Sequence, residues 1–225
     1  MITFVRHGEK LYDNGRSSDP AAPKFDPVLI EDFLHLPPHS DYYSKSNVVV
    51  YSSPYTRTRQ TAVKFSDEDA IRVDCRLGEY LGHWSKESIN YETDFHPSME
   101  GHHKTLPPPK ETIQAMTARM FEFFVERCQE LKDDPNKHII VVSHGYPILS
   151  LFRRLTEYNP KGKYSKKISY EAVEGFTVSL YEKDIIPTKL YSYSDRNWCN
   201  CYSRDYTVPL SEEILELLRS CECDV

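Results

Sequence analysis

The sequence predicts an α/β fold, in which short buried strands alternate with helices along a chain of 225 residues. Three runs are continuously apolar, and such runs are typical of strands buried in a parallel sheet. A chain of this length is within the range of one α/β domain and can bury a sizeable core. The three runs are ITFV at 2–5, NVVVY at 47–51 and HIIVV at 138–142.

A cation and an imidazole follow the first strand, in the sequence RHGE at 6–9. Ligands of open α/β sheets bind at the carboxyl ends of the strands, so Arg6 and His7 are candidate site residues. We expect Gly8 to let the backbone turn sharply and approach a ligand. These four residues alone fit an ordinary polar loop about equally well.

The second strand is followed by Ser52, Ser53 and Pro54, and then by a predicted helix, YTRTRQTAVKF. Serine can cap a helix and proline suits its first turn. A helix that begins at a strand's carboxyl end can bind an anion. We expect Arg57, in the first turn, to hold that anion. Arg59 is rotated by about 200° around the helix and should face away.

Two further strand ends carry candidate residues. Glu79 follows a probable strand at 70–74 and could donate a proton, although most glutamates in loops are solvated charges. Ser-His-Gly at 143–145 follows the third apolar run, so a second His-Gly occurs in the same context as the first. A single histidine at a strand end is more often structural. Two such histidines, His7 and His144, together with Arg6 favour a functional site.

The spacing of apolar residues predicts the other elements. The longest helix, 111–131, should bury its apolar positions at steps of three or four. Those positions are Ile113, Met116, Met120, Phe124, Cys128 and Leu131. Shorter helices are predicted at 28–36 and 148–155, strands at 176–181 and 190–193, and a last helix capped by Ser211.

Composition excludes several classes of function. The net charge of −6 offers no general attraction to nucleic acid or to an acidic membrane surface. No apolar run approaches the ~20 residues of a membrane span, and a strand beginning at residue 2 leaves no room for a signal peptide. We therefore expect a cytoplasmic protein with no nucleic-acid or membrane partner.

The cysteines and one lysine-rich segment carry weaker signals. Two pairs, at 199/201 and 221/223, are Cys-x-Cys, which is not a usual zinc-finger spacing. Free thiols in a reducing compartment are favoured over a metal site. The lysines from Lys161 to Lys167 are expected to be solvated rather than to bind a substrate phosphate.

Taken together, four motifs resemble the histidine phosphatase superfamily, also called the phosphoglycerate mutase-like family. They are VRHGE at 5–9, SSPYTRTRQTA at 52–62, Leu-Gly-Glu at 77–79 and VSHG at 142–145. Their order and spacing fit over residues 1–180. The resemblance implies a mostly parallel sheet flanked by helices on both faces. It also implies a metal-free site, without a cofactor, at the carboxyl ends of the strands.

The resemblance assigns a role to each candidate residue. His7 is the nucleophile that becomes phosphorylated, while Arg6, Arg57 and His144 hold the phosphoryl oxygens. Glu79 protonates the leaving oxygen and then activates water. These roles suit phosphoryl transfer, whose catalysis is mainly positioning and charge stabilisation. We expect His7 to be neutral, so that it can attack, and His144 to be charged. No cluster of metal ligands is evident in the sequence.

The sequence also departs from the family pattern. The Leu-Thr-x-x-Gly helix is replaced by Pro-Val-Leu-Ile at 27–30. The glycine and tryptophan that follow Glu79 are displaced to Gly82 and Trp84, which keeps Glu87 and Glu9 as alternative acids. We expect one domain over 1–225, in which 80–110 is an insertion that covers the site and 195–225 is an extension ending in a helix.

The predicted function is hydrolysis of phosphomonoesters, on a small metabolite or a phosphoprotein, through a phosphohistidine. The first alternative is a mutase with the same intermediate. The Glu-Arg-His-Tyr-Gly pattern of glycolytic mutases is absent, because Tyr80 follows Glu79. The second alternative is a non-catalytic module that binds phosphate or another protein. The sequence does not identify the substrate or the oligomeric state.

Overall fold

The structure is a computed structural model. It describes residues 1–12, 22–35, 47–84, 89–90, 93–97, 101–102, 105–156, 174–192, 197–202 and 207–220. Side chains are described for these residues except 189–192 and 197–202. None of the helices in these ranges is long and apolar enough to cross a membrane.

Eight strands form the sheet, in the spatial order β3-β2-β4-β1-β5-β6-β7, with β8 paired to β6. The strands are β1 (Ile2–Arg6), β2 (Val48–Ser52), β3 (Arg72–Val73), β4 (His138–Ser143), β5 (Gly175–Ser179), β6 (Asp184–Ser192), β7 (Asn197–Tyr202) and β8 (Val208–Pro209). The helices are α1 (Glu31–Leu34), α2 (Thr56–Ala62), α3 (Ile113–Asp133), α4 (Gly145–Leu155) and α5 (Glu212–Ser220). Two short 3₁₀ turns lie at Glu68–Ala70 and Cys75–Leu77.

The four strands β3, β2, β4 and β1 are parallel neighbours. Their register aligns Arg6 with Ser143, and Ser52 with both Val142 and Val73. The carboxyl ends of all four strands are therefore nearly level at one edge of the sheet. The strands beyond β1 pair in antiparallel fashion.

Helices cover both faces of the sheet, as predicted. Alternate residues of β1 point to opposite faces. Phe4 lies in the larger core cluster with residues of α3, α4 and α5, whereas Val5 lies in a smaller cluster with Ala62 of α2. Both are almost fully buried. The predicted α/β class, with buried central strands between two helical layers, is confirmed.

The C-terminal part of the sheet differs from the prediction. Strand β6 begins at Asp184, well before the predicted start at 190, and β7 was not predicted. Proline has no backbone N–H to donate to a neighbouring strand, so Pro187 disfavours a strand prediction for this segment. In the structure it lies between the part of β6 that pairs with β8 and the part that pairs with β7. On the side of β6 that faces β7 and β8, the missing N–H of Pro187 therefore removes no hydrogen bond between strands.

Several helix details were also wrong. α1 is much shorter than the predicted 28–36 within the described residues. Ile113, the first residue of α3, is 58% exposed, whereas the other five predicted core positions of α3 are buried. Ser211 does not cap α5 with its side chain, since its buried hydroxyl makes no hydrogen bond to the described residues.

Some predictions fall on residues outside the described ranges. These are the solvated Lys161–Lys167 segment, Glu87 and the Cys221/Cys223 pair, while only the backbone is described at Cys199 and Cys201. Cys75 and Cys128 are free thiols, as expected.

Candidate active site

The site is built where the parallel strands end. The His7 amide donates to the Ser143 carbonyl over 3.0 Å, and the Ser53 amide donates to the Val142 carbonyl over 3.0 Å. The Ser143 hydroxyl donates to the Leu77 carbonyl over 2.8 Å, which ties the turn before Glu79 to β4. These bonds bring residues from four separate segments of the chain to one place.

His7 is buried, with 2% of its surface exposed. Its Nδ1 lies 2.8 Å from the Gly8 carbonyl oxygen, which can only accept, so Nδ1 carries the proton. Nε2 then holds the lone pair. Burial, followed by the charges of Arg57 and Arg6, holds the pKa of His7 well below its usual range. The structure thus places His7 as a neutral imidazole, as the sequence predicted, in the tautomer that suits nucleophilic attack from Nε2.

Gly8 lies in close contact with α1. Its φ angle is not positive. A Cβ at this position would lie 2.4 Å from ring carbons of Phe33, so the ring of α1 packs directly against the glycine backbone. The Gly8 amide donates to the Thr61 hydroxyl over 2.9 Å. Glycine is therefore needed at this position for close packing behind His7.

His144 is fully buried, and the rings of His7 and His144 have centroids 5.3 Å apart. Its Nδ1 lies 3.2 Å from Nη2 of Arg57, which can only donate, so Nδ1 accepts. Its Nε2 lies 2.9 Å from the Ser53 hydroxyl oxygen. Burial and the charge of Arg57 lower the pKa of His144 well below its usual range. Burial and Arg57 thus favour a neutral His144, in contrast to the charged side chain that we expected.

Arg57 is fully buried and connects the parts of the site. Nη1 donates to the Phe25 carbonyl over 3.0 Å and faces Asp26 at 3.4 Å. Nη2 lies 3.3 Å from Oε2 of Glu79 and contacts His144 as described above. Its buried Nε–H has no hydrogen-bond partner among the described residues. A buried guanidinium with an unused donor is suited to an anion that brings additional acceptors.

Asp26 was missed by the sequence analysis. Its carboxylate is fully buried and accepts from the Thr56 amide over 2.9 Å and from the Thr56 hydroxyl over 2.7 Å. Burial raises its pKa, against the opposing effect of Arg57. Asp26 thus caps α2 and faces the guanidinium at the same time. The only signal in the sequence is an acid flanked by apolar residues, which indicates burial but gives no partner.

The start of α2 differs from the prediction in consequence. The N-cap residue is Tyr55, without a side-chain cap, and not one of the serines. Ser53 lies only at 3.4 Å from the Tyr55 amide and makes its shorter contact with His144. Because Asp26 takes the Thr56 amide, this amide is not available to a bound anion. Positive charge at the site comes from the arginine side chain and not from this amide.

Tyr55 forms one wall of the site. It is fully buried, with its ring centroid 4.8 Å from that of His144 and 4.6 Å from the Arg57 guanidinium carbon. It belongs to a small apolar cluster that also contains Leu81 and Phe95, from the stretch between Glu79 and α3. Its hydroxyl has no partner among the described residues, and burial raises its pKa.

The other predicted residues occupy different places. Glu79 reaches the histidines, with Oε2 3.4 Å from Nδ1 of His144 and 15% of its side chain exposed. Arg6 ends β1, close enough for its charge to lower the pKa of His7. Arg59 faces away from the site, pairing with Glu68 at 3.3 Å. The backbone carbonyl of Glu9 accepts from the Ile30 amide over 3.0 Å, ahead of α1.

A set of possible metal ligands exists, although the sequence showed none. Ligand atoms of His7, Glu79 and His144 lie within 4.8 Å of one another. Arg57 contacts two of these three side chains at 3.2 and 3.3 Å. Its permanent positive charge lies where a bound cation would have to approach, and it opposes metal binding there.

The sequence model of the histidine phosphatase superfamily (branch 1) matches residues 2–184. The chain belongs to the histidine phosphatase superfamily. The match includes the ends of β1, β2 and β4 and the turn that carries Glu79. The resemblance stated from the four sequence motifs is thereby confirmed.

Several solved structures align with this chain. A mycobacterial glucosyl-3-phosphoglycerate phosphatase aligns with a TM-score of 0.47 at 17% identity, over 89% of this chain and 96% of that one. Mycobacterial hydrolase 2 aligns with a TM-score of 0.46 at 17% identity, over 100% and 98%. YhfR of Bacillus stearothermophilus aligns with a TM-score of 0.44 at 19% identity, over 68% and 78%. A comparison with curated proteins finds no match.

Proposed function

We propose that this member of the superfamily hydrolyses phosphomonoesters through a phosphohistidine formed on Nε2 of His7. The observation that carries the proposal is the state of His7. A buried, neutral imidazole donates from Nδ1 to the Gly8 carbonyl, which leaves the lone pair on Nε2. The same imidazole offers a nitrogen within 4.8 Å of ligand atoms of His144 and Glu79, and the charge of Arg57 acts on it.

In the first step, Nε2 of His7 attacks phosphorus and the ester P–O bond breaks. Glu79 gives a proton to the leaving oxygen. Arg57 and Arg6 stabilise the charge on the equatorial oxygens. His144 contributes a hydrogen bond to those oxygens, and the dianionic phosphoryl group would favour its protonation.

In the second step, the Glu79 carboxylate takes a proton from water. The water oxygen attacks phosphorus, the P–N bond breaks, and inorganic phosphate leaves with His7 restored. Each proton that Glu79 gives in the first step is recovered in the second. The position of the Glu79 carboxylate, 3.3 Å from Nη2 of Arg57 and 3.4 Å from Nδ1 of His144, supports one carboxyl group serving both steps.

We also propose that the reaction needs no metal ion or cofactor, because Arg57 supplies positive charge at the position that a metal would take. Residues 80–110 cover the site in this proposal. Leu81, Ile89, Phe95 and Leu106 support this role, since they pack with Tyr55 at the wall of the site. The cytoplasmic location and the absence of nucleic-acid and membrane partners stay predictions from the sequence.

Release of inorganic phosphate from a panel of phosphorylated metabolites and phosphopeptides tests the proposal. We expect steady-state hydrolysis in metal-free buffer, without added bisphosphate. A mutase would instead require a bisphosphate and return the phosphoryl group to an isomeric product. A binding module would bind phosphate and release none from any ester. Either of these two results would contradict the proposal.

A further inference from the structure

Three aromatic side chains form a cluster beside the site. The ring centroids of Tyr80 and His83 are 5.1 Å apart, those of Tyr80 and Tyr146 are 6.0 Å apart, and those of His83 and Tyr146 are 6.2 Å apart. The rings are tilted or perpendicular, with interplanar angles of 85°, 47° and 69°. In such arrangements a ring edge covers at most one face of its neighbour, and His83 and Tyr146 are exposed, so the cluster keeps π surface that a further ring can contact.

The chain connects Tyr80 and Tyr146 of this cluster to Glu79 and His144, two residues of the proposed mechanism. Tyr80 directly follows Glu79, and its amide donates to Oε1 of Glu79 over 3.1 Å. Tyr146 lies in the first turn of α4, two residues after His144. Oε2 of Glu79 lies 3.4 Å from Nδ1 of His144. Both tyrosines therefore lie close in sequence to the part of the site where, in the proposed mechanism, Glu79 protonates the leaving oxygen.

Gly82 makes room for the Tyr80 ring. A Cβ on Gly82 would lie 2.3 Å from both the Cζ atom and the hydroxyl oxygen of Tyr80. The glycine that is displaced from the family pattern is therefore the residue that lets this ring fold back beside the site. Tyr146, in contrast, is 59% exposed, which leaves its surface accessible from solvent.

We propose that this cluster of Tyr80, His83 and Tyr146 binds an aromatic ring in the leaving group of the substrate. The inference rests on the proposed function, because it names the substrate class of the same site. The class is a phosphate monoester of an aryl or arylmethyl alcohol. The cluster contributes ring faces and edges, which select a planar aromatic group over a saturated one of equal size.

Calorimetric titration with two phosphonates tests the proposal independently of turnover. Benzylphosphonate and cyclohexylmethylphosphonate have the same charge and nearly the same size, and differ in aromaticity. We expect the wild-type protein to bind benzylphosphonate at least about fivefold more tightly, the effect of favourable contacts with two rings. Tyr146→Phe should retain this preference, and Tyr146→Ala should reduce it to less than about twofold.

Tyr181→Ala is the matched control, because Tyr181 is 97% exposed in the turn between β5 and β6. This variant should keep the full preference. Equal affinities in the wild-type protein, no binding of either phosphonate, or a preference retained in Tyr146→Ala would overturn the proposal. A preference without hydrolysis of any ester would refute the proposed function, while still showing that the cluster binds an aromatic ring.

The source of the ring is distinguished in a second arm. Free phosphotyrosine and a peptide that contains it present the same aryl ester. A higher kcat/KM for the free amino acid identifies a small-molecule source, and a higher value for the peptide identifies a protein. In both cases Tyr146→Ala should lower kcat/KM for the aryl ester more than for phosphoserine, and equal losses on both would overturn the inference.

Discussion

Replacing Arg57 should impair catalysis far more than replacing Arg59, although the two residues are close in sequence. Arg57 is fully buried against Phe25, Asp26, Glu79 and His144 at 3.0–3.4 Å. Losing one preorganised charged donor costs about 10²–10³ in rate, or ~3 kcal/mol. A unit charge pair at ~4 Å is worth about 4 kcal/mol at an effective dielectric of ~20, which agrees with that scale.

The stability of the protein must be measured with the rates. Arg57→Ala leaves the Asp26 carboxylate buried without its cation, and breaking a buried pair costs about 3–5 kcal/mol. That is a large share of the ~5–15 kcal/mol by which proteins are usually stable. Arg57→Lys is therefore the second variant. It keeps the positive charge but lacks the planar fork that reaches all four partners, so it should fold and still lose about 10²-fold in kcat/KM.

Arg59→Ala is the control. The Arg59 side chain is 28% exposed and pairs with Glu68, which is 70% exposed, and such surface pairs contribute about 0–1 kcal/mol. We expect less than about a tenfold loss in kcat/KM, or ~1.4 kcal/mol. Hydrolysis of p-nitrophenyl phosphate and thermal melts measure both quantities. Comparable losses in well-folded Arg57→Lys and Arg59→Ala would refute the arrangement of the site described above.

Three further predictions concern metal ions, Asp26 and His138. EDTA should leave hydrolysis unchanged, whereas loss of activity that a divalent ion restores would show that Arg57 does not replace a metal. Asp26→Asn removes the charge behind Arg57 and should lower kcat/KM about tenfold while KM for phosphate esters rises; an unchanged KM would argue against its positioning role. His138 is buried, and its pKa is lowered to about 4. Because the unfolded chain takes up this proton as pH falls from about 6.5 to 4, stability should drop by about 2 kcal/mol between about pH 7 and 5. In chemical denaturation, His138→Gln should lack this pH-dependent loss in the free energy of unfolding. An unchanged pH dependence in the variant would contradict the prediction.

The residues at the strand ends could be predicted from sequence because each lies in a local pattern. His7 and His144 directly follow continuous apolar strands, and Arg57 lies a few residues after another. Their meeting at one edge follows from parallel pairing, which the apolar runs also predict. The difference between Arg57 and Arg59 follows from helix geometry alone.

The surroundings of these residues could not be predicted, since they depend on contacts between distant segments. Asp26 caps a helix that begins 30 residues later, and no local pattern indicates this. Tyr55 was part of a predicted helix, but its role comes from the ring of His144. Likewise, the neutral state of His144 follows from burial and from Arg57, which only the folded structure brings together.

The most direct test of the central claim is identification of the phosphorylated residue. Glu79→Gln should slow attack by water while p-nitrophenyl phosphate, whose leaving group needs little protonation, still phosphorylates the protein. In Glu79→Gln, we expect mass spectrometry under alkaline conditions to locate one acid-labile phosphoryl group on His7. The control variant Glu79→Gln/His138→Gln, which lacks another buried histidine, should carry the same group. The variant Glu79→Gln/His7→Ala should carry none. A phosphoryl group on another residue, or one that persists after His7→Ala, would contradict the account.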